Sequence, residues 1–140
     1  MEPTKDDRVT IYLALESDDL TTVMLTERLG VQPSKEHAIG DVRGQTGKCW
    51  DHHHWELEVT VRSNHSGGRL AQELIPIAMD LFAARVEPLA RIISSLDSSV
   101  QRFVVLGILA DPVPGIALSH PFLQLLADLG GTFQVDVIAG

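Results

Sequence analysis

The residues with the clearest potential for chemistry lie between Cys49 and Glu56, where the sequence is CWDHHHWE. Side chains alternate between the two faces of a strand, so His52 and His54 would share one face with Glu56. Two imidazoles and a carboxylate on one face can bind a divalent transition metal such as zinc, copper or nickel. The segment therefore predicts a candidate metal site formed by His52, His54 and Glu56.

The same pattern is also typical of a solvated strand face, where polar residues need no ligand. A zinc site normally needs about three or four protein ligands. No second ligand cluster is visible in the sequence. The histidines outside this segment, His37, His65 and His120, are far from one another along the chain. We therefore expect no cofactor, and a divalent metal is the alternative.

Cys49 and the glycine-rich stretch before it are further candidates. Cys49 could be a nucleophile beside a histidine, but no third group that would orient the pair can be named. The stretch from Gly40 to Cys49 superficially resembles a phosphate-binding loop. That motif would need glycine at Val42 and a hydroxyl at Cys49 to bind magnesium. We therefore interpret the stretch as a hairpin loop.

The paired carboxylates have ordinary structural explanations. Glu56 and Glu58 fit the polar face of a strand, and Asp18 and Asp19 fit the first turn of a helix, where the helix dipole favours negative charge. Asp136 lies between two valines on a late strand and fits an outward polar position. No Ser-His-Asp constellation can be identified from spacing, so we lean against an enzyme.

Alternating apolar and polar residues predict the strands that would position these side chains. The predicted strands are Arg8–Glu16, a short Lys35–Asp41, Asp51–Arg62, Gln101–Ala110 and Thr132–Ile138. Gln101–Ala110 is apolar on both faces, which predicts a central strand or one covered twice. In the last strand we expect Phe133, Val135 and Val137 to point inward.

Helical spacing of apolar residues predicts three helical regions between the strands. Ser17 or Asp18 would cap the first, whose apolar side would be formed by Leu20, Val23, Met24 and Leu25, and Gly30 would end it. In the second, Pro76 and Pro88 predict a kink or two successive helices. Ser119 would cap the third helix.

These elements predict an α+β fold with a single domain over residues 1–140. We expect a two-layer sandwich, with a mainly antiparallel sheet of four to five strands, helices on one face, and βαβ units related to the ferredoxin-like fold. In the strand Asp51–Arg62, the histidines and glutamates would point to the side opposite Trp55, Leu57, Val59 and Val61.

Composition limits the class of protein and its partners. The chain has 140 residues, 19 of them acidic and 11 basic, and a net charge of −8. This excess of acid argues against nucleic acid or an anionic membrane as partner. No run approaches the roughly 18 apolar residues of a membrane span. The polar first residues and the single cysteine lead us to expect a cytoplasmic protein.

Several short motifs occur in an order that resembles a known family. They are Leu29-Gly30-Val31-Gln32-Pro33-Ser34, Ile39-Gly40-Asp41, Trp55, Val86-Glu87-Pro88, Leu125-Leu126-Ala127-Asp128-Leu129-Gly130 and Val135-Asp136-Val137. Between Val9 and Ile138 their spacing resembles the bacterial family known as domain of unknown function 4279.

The resemblance implies a small bacterial single-domain protein and brings no established activity or catalytic residue. Gly30, Pro33, Gly40, Trp55 and Asp136 match the family pattern and are implied to be determinants of the fold. The triple histidine is not part of that pattern.

Our leading hypothesis is a non-enzymatic module that binds another protein, as an immunity-type or regulatory partner. An acidic module suits a basic partner, because complementary charge speeds encounter. The alternative is a metal- or small-ligand-binding protein, or an enzyme, that uses His52, His54 and Glu56. A homodimer formed through a sheet face or edge is a third possibility.

Overall fold

The backbone forms one sheet with helices on one face, in a computed structural model that describes residues 7–45, 47–63, 70–111 and 114–139. The elements in chain order are β1 (Arg8–Ser17), α1 (Thr22–Leu29), β2 (Lys35–His37), β3 (His53–Arg62), α2 (Ala71–Val86), a 3₁₀ turn (Glu87–Leu89), α3 (Ala90–Ser94), β4 (Gln101–Ala110), α4 (His120–Leu129) and β5 (Thr132–Ala139).

The five strands lie in the order β2-β3-β1-β4-β5. The pairs β2–β3, β3–β1 and β1–β4 are antiparallel, whereas β4 and β5 are parallel and are joined through α4. The first four strands with α1 and α2 form the ferredoxin-like βαββαβ arrangement. The predicted α+β fold with a mainly antiparallel sheet is thus confirmed. No helix among the described residues is both long enough and apolar enough to cross a bilayer.

One hydrophobic core lies between the sheet and the helices. Alternate residues of β1 point into it, and Val9, Ile11, Leu13 and Leu15 are completely buried. Trp55 of β3 is also completely buried, and its indole nitrogen donates a hydrogen bond of 3.0 Å to an α1 hydroxyl. This bond satisfies a polar group that would otherwise be costly to bury.

The first helix begins later than the sequence predicts. Thr21 is its N-cap, and its hydroxyl accepts from the backbone nitrogen of Met24. The Ser17 hydroxyl instead accepts from the backbone nitrogens of Asp19 and Leu20, forming a tight turn between β1 and the helix. The predicted cap at Ser17 or Asp18 is therefore wrong.

The predicted apolar side of α1 is also partly wrong. Val23 and Met24 are exposed, and the helix buries Thr22, Leu25 and Leu29 instead. The C-terminal end agrees with the sequence, because Gly30 takes the left-handed conformation with φ of 75°.

Proline shapes the long helical region as expected. Pro76 lies inside α2, while Pro88 lies in the 3₁₀ turn that separates α2 from α3. Proline has no N–H to donate and crowds the preceding turn, which accounts for the change of helix type there.

Arg102 of β4 ties the end of the helical region to the sheet. Its guanidinium donates to the carbonyl oxygens of Ile93, Leu96 and Val100 at distances of 2.8–3.2 Å. These carbonyls lie at or beyond the end of α3, where a helix leaves acceptors unpaired. Arginine suits this position because its planar group offers several fixed donors.

Two valines of the last strand are more exposed than the sequence predicts. Val135 and Val137 share the helix side of the sheet with Leu106 and Ile108, their partners in β4, yet they are 39% and 42% exposed. Because β5 is the outermost strand, the core does not extend over these two residues. Only Phe133 of the predicted inward set packs against the core.

Replacing Gly131 with alanine tests the close contact at the start of β5. An added Cβ would lie 2.5 Å from the carbonyl oxygen of Arg102 and 2.8 Å from its Cβ. We expect a loss of about 1–3 kcal/mol in the free energy of unfolding, since the backbones must move apart. Urea denaturation followed by circular dichroism measures this loss.

Gly115→Ala is the matched control, because its added Cβ would meet nothing within 4 Å. We expect a change within about 0.5 kcal/mol for this variant. Equal stability of the two variants would contradict the close approach of Gly131 to β4.

Candidate functional site

The register between β1 and β3 brings the candidate residues together. Glu16 pairs with His54, Ala14 with Glu56 and Tyr12 with Glu58. These side chains project from the sheet face opposite the core, because they alternate with the buried residues of both strands. We call this helix-free side of the sheet the open face.

His54 lies between two carboxylates on the open face. Its Nδ1 is 2.9 Å from Oε2 of Glu16, and its Nε2 is 3.1 Å from Oε1 of Glu56. The side chains of His54, Glu16 and Glu56 are 12%, 16% and 10% exposed. A doubly protonated imidazole can donate to both carboxylates at once, so this geometry fits the cationic form.

The pKa of His54 lies above its ordinary value of 6.5. Burial alone would lower this pKa, because it disfavours the charged ring. The hydrogen bonds to Glu56 and Glu16, together with their negative charges, outweigh the effect of burial and raise it. His54 therefore carries its positive charge at a higher pH than an isolated histidine would.

His52 makes a second bridge to the same carboxylate. Its Nε2 lies 2.7 Å from Oε2 of Glu16, and its Nδ1 lies 2.8 Å from Oδ1 of Asp51. A single Glu16 oxygen is therefore shared by two imidazole rings, and each ring directs its other nitrogen to a further carboxylate.

Aromatic side chains cover one side of this cluster. The Trp50 ring stacks on His37 with centroids 4.5 Å apart, and its centroid is 5.0 Å from that of His54. The guanidinium of Arg43 lies 4.4 Å from the Trp50 ring centre, a cation–π distance. The indole nitrogen of Trp50 is buried and has no hydrogen-bond partner.

The segment that carries Trp50 is a hairpin. Val42 and Cys49 form an antiparallel bridge, and Asp41 and Trp50 are joined by a backbone hydrogen bond of 2.8 Å. The predicted hairpin loop is confirmed. Cys49 is exposed on this hairpin.

Tyr12 lies at the centre of the open face, and the pKa of its hydroxyl depends on the charges around it. Burial raises the pKa of the Tyr12 hydroxyl, and nearby carboxylates raise it further. Those carboxylates belong to Glu56, Asp136, Glu16 and Glu58, which come from three different strands. Burial and these negative charges both oppose ionisation of the hydroxyl, and burial contributes most.

Lys35 of β2 forms ion pairs with two of these carboxylates. Its Nζ lies 3.6 Å from Glu58 and 3.9 Å from Glu56. The Lys35 side chain is 62% exposed, so water screens these pairs and they stabilise little.

A shallow pocket of about 300 Å³ lies at the end of the open face where β1 finishes. Its walls carry the carboxylates of Glu16, Asp18 and Asp51, together with His52 and polar groups of the adjoining turns. The pocket can therefore accept a cationic, hydrogen-bonding group from a ligand.

The predicted metal residues are brought together, but their donor atoms bond to one another. His54 contacts Glu56 directly, and His52 joins them through Glu16. Within the described ranges, which omit residues 64–69 and a few others, no group of three or more His, Cys, Asp or Glu side chains could hold a metal ion as arranged. Metal binding at His52, His54 and Glu56 stays a prediction.

Glu16 was not predicted from the sequence as a site residue, and His37 lies closer to the cluster than its position in the sequence indicates. Glu16 shares the polar side of β1 with Tyr12, but its partner follows only from the strand register. His37 looked isolated in the sequence, yet it lies against Trp50 because β2 pairs with β3. His120 stays apart, exposed at the start of α4, and His65 lies outside the described residues.

Comparison with known proteins supports one assignment. The family described as "Domain of unknown function (DUF4279)" matches residues 7–140, nearly the whole chain, so the chain belongs to this family. The resemblance read from the short motifs is confirmed. No curated protein and no solved structure matches the chain.

Replacing His54 with glutamine tests the double bridge through its pH dependence. The folded pKa exceeds the unfolded value of about 6.5. The stabilisation from the charged ring is therefore complete below that unfolded value and is lost as pH rises through the folded pKa. We expect His54→Gln to lose about 2 kcal/mol at mildly acidic pH and less at alkaline pH.

Urea denaturation at a series of pH values measures both proteins. His120→Gln is the control, because His120 is exposed at the start of α4 and takes no part in the bridges of the open face. A stability difference for His54→Gln that grows with rising pH would refute the cationic bridge.

Proposed function

We propose that this member of the DUF4279 family is a non-enzymatic module that binds a basic surface of another protein through its open face. In this proposal the protein works in the cytoplasm of a bacterial cell, as an immunity-type or regulatory partner. Nucleic acid and anionic membranes would be repelled by its excess of acid.

The observation that supports the proposal is the convergence of carboxylates on Tyr12. Glu56, Asp136, Glu16 and Glu58 all act on this one hydroxyl. They lie on β1, β3 and β5, so the acidic groups are spread over the sheet rather than gathered around one residue, and Arg8, Lys35 and Arg62 lie beside Glu56 and Glu58 at one end of the face. A face of this breadth fits the surface of a protein better than it fits a small ligand.

The net charge of the whole chain supports the same kind of partner. The chain has a net charge of −8, so the field of the whole molecule attracts a basic protein before contact. Attraction of this type raises the association rate and falls with increasing salt.

The acidic pocket at the end of β1 supplies a place for a single basic side chain. Asp18 and Asp51 are exposed on its rim, and Glu16 lies deeper. A guanidinium inserted there could form charge-assisted hydrogen bonds with these carboxylates, the stronger class of hydrogen bond. The pocket would thus give the open face specificity for arginine or lysine.

The histidines of the cluster suit binding better than catalysis. A general base needs a free lone pair that reaches the substrate. Both ring nitrogens of His54 face carboxylates, as do both nitrogens of His52. The bridges occupy all four ring nitrogens, so the cluster suits a fixed arrangement of polar groups better than proton transfer.

Reversing charge at the pocket tests the proposed contact. The double variant Asp18→Lys/Asp51→Lys places cations on the rim of the acidic pocket. With the protein as bait in a native host extract, we expect the unmodified chain to retain a stoichiometric protein that the double variant loses. The captured protein should have a basic contact surface and a dissociation constant that rises with salt.

Glu73→Lys/Asp80→Lys is the matched control, because it changes the net charge equally on exposed positions of α2, in the helix layer. We expect this control to keep the partner. No stoichiometric partner, or equal capture by both double variants, would count against the proposal.

A metal- or small-ligand-binding protein is the second candidate, and the shared Glu16 oxygen favours it. His52 and His54 each direct one nitrogen to that oxygen and the other to a carboxylate. Histidine ligands of metals commonly donate their second nitrogen to such a carboxylate. A bound cation would have to displace the bridging protons, so its affinity would fall at low pH.

Metal analysis separates the two candidates. We expect protein purified without an affinity tag and dialysed against a chelator to retain no stoichiometric zinc, because the donor atoms already bond to one another. The measurement is elemental analysis by mass spectrometry. Stoichiometric zinc that is lost in His54→Ala and kept in His120→Ala would establish the second candidate instead.

A further inference from the structure

The strand β5 leaves a long edge of the sheet unpaired by any other strand in the described part of the chain. It runs over eight residues and pairs only with β4, whereas the opposite edge strand, β2, has three residues. The edge contains no proline or lysine, the residues that commonly protect such edges from another chain.

Apolar exposure accompanies this unpaired backbone. Val135 and Val137 are about two-fifths exposed on the helix side of the strand. A flat apolar edge strand with unpaired backbone groups favours pairing with a further strand.

We propose that a second copy of this chain covers the edge, with the two β5 strands paired antiparallel about a two-fold axis at Val135. This register places Val135 opposite the partner's Val135, and Phe133 opposite the partner's Val137. On the open face it places Gln134 opposite the partner's Asp136, and the two-fold axis repeats that contact.

Polar complementarity favours this register over one centred on Asp136. The Gln134 amide donates a hydrogen bond of 2.9 Å to Asp136 of its own strand, so it can reach a carboxylate at that distance along the sheet. With the axis at Val135, the same amide faces the partner's Asp136. An axis at Asp136 would set two carboxylates against each other, and like charges directly opposite destabilise a sheet.

The resulting dimer would have one continuous sheet. Because a two-fold axis normal to the sheet keeps each face on its own side, both helix layers would lie together and both open faces would be exposed. The inference does not rest on the proposed function, since it uses only the edge and its side chains.

Light scattering after size-exclusion chromatography tests the dimer with the full 140-residue chain. We expect a dimer mass for the unmodified protein and a monomer mass for Val135→Lys at the same concentration. Two lysines would face each other across the axis and should raise the dissociation constant at least about tenfold. Val23→Lys is the control, because Val23 is 62% exposed on α1 and its replacement should leave the dimer intact.

Cysteine cross-linking fixes the register independently of the effect of lysine on folding. In a Cys49→Ser background, Val135→Cys would lie opposite its own copy and should form an intermolecular disulfide on mild oxidation. Val137→Cys is the matched control, with similar exposure on the same side of the strand, and its two copies would be too far apart to join.

The following results would overturn the proposal. A monomer mass for the unmodified protein at its highest soluble concentration would exclude pairing between copies and leave the edge to a different chain. A dimer that persists in Val135→Lys, or that cross-links equally through position 137, would place the contact elsewhere.

Discussion

The register of β1 between β3 and β4 is the constraint on which both faces of the sheet depend. Side chains alternate along this central strand, so the same pairing that buries Ile11 and Leu13 also sets Tyr12 and Glu16 on the open face. A slip by one residue would move the apolar set to the solvent side. Core packing therefore also fixes the positions of the carboxylates and histidines.

The cluster at the end of β1 shows how this register makes a partly buried charge tolerable. An imidazolium removed from water is costly unless opposite charges and hydrogen bonds compensate it. Glu16 and Glu56 stand on either side of His54 because the two strands pair there, and the Trp50 hairpin covers the group. Removing one partner would leave a partly buried charge without compensation, so the groups of the cluster stabilise one another.

The sequence predicted the fold more fully than the site, for physical reasons. Alternation and helix caps are local signals, and they revealed the strands, the Ser119 cap and the glycine that ends α1. The link between Glu16 and His54 spans 38 residues and depends on strand register, which no local pattern specifies. Val135 was predicted inward because alternation tells which face a residue occupies, but not whether a layer covers that face at the edge.

Function in a molecule of this kind follows from which surfaces its fold leaves uncovered. The helices cover one side of the sheet, and the other side keeps polar groups that neutralise one another in pairs while the molecule retains a net negative charge. Groups held in such pairs are poorly suited to proton transfer but well suited to a constant electrostatic surface. The proposed recognition of a partner by charge and shape would leave these pairs in place, whereas proton transfer would require them to rearrange.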